Sequence, residues 1–63
     1  MWYHILVISY YNIAIEYEHL ISYGEADKNY QQALNAIEQS KKSHVLYNKI
    51  ISYKKLCLEK QAN

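Results

Sequence analysis

Three histidines, His4, His19 and His44, and one cysteine, Cys57, are the side chains of this 63-residue sequence best suited to hold a metal. Zinc sites draw such ligands from short, repeated spacings. No two of these four residues have that spacing, and they fall on separate segments. They read as surface or interface histidines and a small buried thiol. Glu16 and Glu18 lie on different sides of a helix, and Asp27 is the only aspartate. No nucleophile stands beside a base, and no phosphate loop is visible. Lys41-Lys42 and Lys54-Lys55 are isolated pairs that read as solvated ends, and a net charge of +1 projects no strong field toward nucleic acid. The sequence predicts no enzyme, no metal, no cofactor and no nucleic-acid partner.

The elements that carry these residues are helical. Proline is absent, Gly24 is the only glycine, and the apolar fraction is 51%. Nothing in residues 5–20 or 25–39 breaks a helix, and apolar positions recur at helical spacing. The first stripe is Ile13, Tyr17 and Leu20, with Tyr10 and Ala14 beside it. The second is Ala26, Tyr30, Ala33, Leu34 and Ile37. The third is Leu46, Ile50, Tyr53 and Cys57, flanked by Tyr47, Ile51 and Leu58. Ser22-Tyr23-Gly24-Glu25 predicts a capping box, in which the Ser22 hydroxyl and the Glu25 carboxylate each accept a backbone N–H of the other residue. Helix one then ends near Leu20 or Ile21. Ser43 is the expected cap of a third helix starting at His44; fusion of helices two and three is the alternative.

A lone cysteine allows no internal disulfide and fits a reducing compartment. The apolar start, Met1–Ile15, lacks a basic leader and a cleavage site. His4, Ser9 and Asn12 interrupt it short of the ~20 apolar residues of a membrane span. The expected setting is cytoplasmic, with no membrane partner.

Residues 7–40 resemble one tetratricopeptide repeat. Tyr10 stands at that family's Trp position, Ile13-Ala14 at its Leu-Gly, and Tyr17 at its Tyr. On the second helix Ala26, Tyr30 and Ala33 match the family's small, aromatic and small residues. Tyr23 falls where the family favours an aromatic. The resemblance implies an all-α fold: an antiparallel helical hairpin over 7–40, then a capping helix over 44–61, one helical unit of 1–63 and a fragment of an α-solenoid. Three positions depart from the pattern. Ile21 replaces a turn glycine, and its β-branch should resist a left-handed turn. Glu38 replaces the terminal proline. Residues 44–61 do not repeat the motif.

By the same resemblance, the first helix presents a protein-binding face of Ile8, Tyr11, Asn12, Ile15, Glu18 and His19. Asn12 is the central candidate, since its amide can donate to and accept from a peptide backbone. Carboxylate clamps of the family use several basic residues. Asn12 and Lys42 match two such places, but Tyr11 and Ile15 occupy others, which disfavours a clamp. A lone repeat does not bury its own apolar face, and roughly three are needed for stability. Further repeats, self-association or a large partner should therefore cover Trp2, Tyr3, Ile5, Leu6 and Val7. The expected function is a module that binds a peptide or subunit. The alternative is a structural piece of a larger assembly: residues 11–20 look similar to repeats of ciliary and cytoskeletal proteins, and an axonemal microtubule complex would be such a setting.

Overall fold

The computed structural model describes residues 2–62, with side chains over 3–61. Three helices follow one another: α1, Trp2–His19; α2, Tyr23–Ser40; and α3, Tyr47–Ala62. The fold is all-α, a helical hairpin followed by a third helix. The middle helix α2 packs on both α1 and α3. Principal extents of 36 × 16 × 15 Å leave room for one core seam and no second layer.

Helix α2 has a single apolar face. Ala26, Tyr30, Ala33 and Ile37 are buried there as their spacing predicts, together with Ala36. Glu25, Lys28, Gln31 and Gln32 occupy the exposed side. Helix α3 contributes Ile50 and Cys57, both fully buried, with Leu46 and Tyr53 packed around them. At the polar edge Lys54 Nζ lies 3.1 Å from Asp27 Oδ1, an ionic contact rather than a directed hydrogen bond.

Helix α1 departs from its predicted stripe. Val7 and Ala14 are its buried residues, whereas Ile13 is 44% and Leu20 is 70% exposed. Tyr10 and Tyr17 are half-buried against the core. The cause is size: fully buried Ala14, Ala26 and Ala33 let the α1 and α2 axes approach, which points α1 by its small residue. The predicted amino-terminal docking run splits for the same reason. Tyr3, Ile5 and Leu6 are exposed, but Val7 belongs to the core. The Trp2 side chain lies outside the described residues.

The first turn does not use a capping box. Ile21 adopts φ 60°, the left-handed conformation its β-branch was expected to resist. Two hydrogen bonds hold it there: Ile21 N–H donates to Glu18 C=O at 2.9 Å, and Ser22 N–H to Tyr17 C=O at 2.9 Å. This is the left-handed helix stop that glycine usually makes. It also explains the missing box. The Ser22 N–H that Glu25 would cap is already engaged, and the Ser22 side chain makes no cap bond. Glu25 turns forward to Lys28 instead, at 3.4 Å. A left-handed L-residue costs about 1–2 kcal/mol. Ile21→Gly should therefore stabilise the chain by about 0.5–1 kcal/mol after glycine's entropy cost. Ile21 is 72% exposed, so little burial is lost. Thermal denaturation should show a midpoint higher by about 4 °C.

The second turn keeps α2 and α3 separate. Lys41 takes φ 58°, and Ser40 Oγ donates to Ile37 C=O at 2.7 Å. α3 starts at Tyr47, three residues beyond the expected position. Ser43 is not its cap. His44 serves that turn, its Nδ1 accepting the Leu46 N–H at 3.1 Å and its carbonyl the Tyr47 N–H at 3.0 Å.

Candidate protein-binding face

Of the six residues predicted to face a partner, four form one strip on α1. Ile8, Asn12 and His19 are exposed, and Ile15 between them is half-buried. Their spacing of four, three and four residues places them in adjacent turns of one side. The strip offers an aliphatic ridge with an amide in its middle.

Tyr11 and Glu18 turn inward. The Tyr11 ring stacks on Tyr53 of α3 at 6.0 Å between centroids and tilts against Tyr30 at 6.2 Å. Tyr30 meets Tyr53 edge-on at 6.1 Å, closing an aromatic triad among the three helices. Such arrangements suit the ring quadrupoles and add about 0.5–1.5 kcal/mol per pair beyond area burial. The Tyr30 hydroxyl donates to the Glu18 carboxylate. Two of the six predicted residues thus hold α1 to its neighbours. The all-round apolar character of α1 hid this division.

The buried triad is chemically quiet. Burial first, and then the Glu18 carboxylate, push the Tyr30 phenol far above the ordinary tyrosine value. Burial also raises Tyr11, helped by Tyr53 and Glu18. The Cys57 thiol is pushed up to about 11 by burial, then by Glu18 and Asp27, so it stays protonated at neutral pH.

One pairing was invisible in the sequence. His4 Nδ1 and His44 Nε2 lie 2.9 Å apart, and the rings stack at 4.9 Å. Since His44 Nδ1 accepts from Leu46, its proton sits on Nε2 and is donated to His4 Nδ1. Adding a proton to His44 Nδ1 breaks its bond from the Leu46 N–H. Burial, then His4, lower the pKa of His44. The folded chain therefore binds fewer protons here than the unfolded one. The stabilisation is complete above about pH 6.5 and is lost as pH falls through the lowered value. Acidification from about pH 7.5 to 5.5 is expected to lower the melting midpoint, and His4→Phe should reduce that dependence only in part, because burial of His44 is the larger cause. Among the described residues no three His, Cys, Asp or Glu side chains gather as metal ligands.

A depression of about 620 Å³ lies elsewhere, where α2 ends and α3 begins, lined by Leu34, Ile37, Glu38, Lys41, His44 and Tyr47. Lys42, the second clamp position, also borders it and is exposed. No helix among the described residues is long and apolar enough to cross a membrane. No protein-family model matches the chain, and comparison with curated proteins and with solved structures gives no match.

Proposed function

We propose that the chain is a protein-interaction module that takes a peptide or subunit on the Ile8, Asn12, Ile15 and His19 strip of α1. The observation that carries this reading is the division of labour on α1. Val7, Ala14, Tyr11 and Glu18 hold the helix to the fold, which leaves an aliphatic strip with a free-standing amide on a braced support. The resemblance of residues 7–40 to a tetratricopeptide repeat supports it, and a cytoplasmic setting goes with it. Peptide-library selection against the chain tests it. Binding of a selected peptide should weaken about tenfold or more when Asn12→Ala is combined with Ile8→Lys, with helicity unchanged. Equal binding by that variant would reject the strip.

A second reading is a permanent structural piece of a larger assembly, such as a ciliary or axonemal microtubule complex. What favours it is the amount of apolar side chain left uncovered: Val45 is 93%, Leu20 70% and Ile5 55% exposed. Circular dichroism with sedimentation on the isolated chain separates the two. A stably folded chain that needs no other protein rejects this second reading.

A further inference from the structure

Tyr3, Leu6, Tyr10, Ile13 and Tyr17 on α1, and Leu20 one residue past its end, follow one another at spacings of three, four, three, four and three residues. That is the heptad spacing of a helix whose seam faces another helix. All six side chains are apolar in bulk. Leu6, Ile13 and Leu20 are 38%, 44% and 70% exposed, and Tyr3 is 37% exposed. Tyr10 and Tyr17 are half-buried on the core, so they form a fixed floor beneath the aliphatic ridge. By helical geometry this seam runs on the flank of α1 opposite His4 and Tyr11, the two residues that meet His44 and Tyr53. Its Leu6, Ile13 and Leu20 ridge stays exposed beside α2 and α3.

We propose that this seam pairs with the same seam of a second copy of the chain, antiparallel and about a two-fold axis. The alternation of residue sizes supports that occupant. Tyrosine holds every first position of the repeat and Leu or Ile every second. An antiparallel copy sets Tyr3 opposite Leu20, Leu6 opposite Tyr17, and Tyr10 opposite Ile13. Each of the six layers then holds one ring and one aliphatic chain, so the helix axes stay evenly spaced. A parallel copy would stack rings in three layers and leave small pairs in the other three. The two-fold arrangement closes on itself and leaves no repeating edge. Charge agrees as well. Helix α1 contains no lysine, and Glu16, on the outer edge of the seam, comes opposite Ser9 rather than another carboxylate. One helix per copy gives less than the ~1,200–2,000 Å² of a standard interface, so the dimer should dissociate in the micromolar range.

Two measurements on the 63-residue chain test this. Sedimentation from about 5 to 500 μM should show a monomer–dimer equilibrium, and Ile13→Lys should weaken it by about tenfold or more. Tyr3→Cys and Leu20→Cys, both at exposed ends of the seam, test the register without touching its centre. On oxidation, a mixture of the two variants should form a cross-linked dimer, while each variant alone should not. Three results would overturn the proposal: a monomer at every concentration, a dimer indifferent to Ile13→Lys, or cross-linking of Tyr3→Cys with itself, which marks a parallel pair. Asn12→Ala lies on the other strip and should leave the dimer unchanged, so loss of peptide binding and loss of pairing are separately readable.

Discussion

Tyr30→Ala is expected to leave the chain largely unfolded at 25 °C. Tyr30 is fully buried and touches two other aromatic rings, so its truncation removes the central side chain of the seam where three helices meet. Large aromatic-to-alanine changes in cores cost about 3–5 kcal/mol. A single core in a chain this short supplies about 3–5 kcal/mol in total, so most or all of it would be consumed. Urea denaturation followed by circular dichroism would measure the loss. Tyr30→Phe isolates the hydroxyl. It keeps the ring but removes the donor to Glu18, which should cost about 1.5–3 kcal/mol, the range for a hydrogen bond to a charged group. If Tyr30→Phe were as damaging as Tyr30→Ala, the ring packing described above would not be the main contribution.

Ala14→Leu should produce the second-largest loss. The site has no exposed surface and lies on the face of α1 that approaches α2, where Ala26 and Ala33 are equally buried. Three added carbons cannot fit without moving a helix. Overpacking of this kind costs about 1–3 kcal/mol, and the packing of α1 across α2 should suffer first. Leucine at exposed Gln32 of α2, Gln32→Leu, adds apolar character without enlarging a packed site and should stay within about 0.5 kcal/mol. Thermal melts of the two variants side by side would show whether close approach or bulk hydrophobicity holds the hairpin.

These outcomes bear on how far the sequence disclosed the fold. Helix α2 was readable because one side is polar throughout and the other repeats Ala26, Tyr30, Ala33 and Ile37. The core of α3 was readable for the same reason at Ile50, Tyr53 and Cys57. Helix α1 was not, because apolar residues occupy nearly all its sides and periodicity alone could not choose among them. Alanine size chose instead, and size acts only once a partner helix is in place. That choice exposed Ile13 and Leu20 and turned Tyr11 and Glu18 inward, dividing the predicted binding face. The first turn failed differently. Ser22 and Glu25 have the right types for a capping box, but with Ile21 left-handed the Ser22 N–H already donates to the Tyr17 carbonyl. Local chemistry offered two solutions, and the less obvious one satisfied more backbone groups. The His4–His44 contact joins residues forty apart, and neither carries a local sign of the other.

The lone sulfur of Cys57 gives the chain a built-in clock. It sits between α3 and the rest of the fold with no exposed surface, and its proton is held well beyond neutral pH. An alkylating reagent can reach it only while α3 is lifted away. The rate of labelling therefore counts how often that helix detaches, alone or with the rest of the fold. Anything that clasps the third helix, including a neighbour seated on its exposed Tyr47, Ile51 and Leu58, should slow the clock.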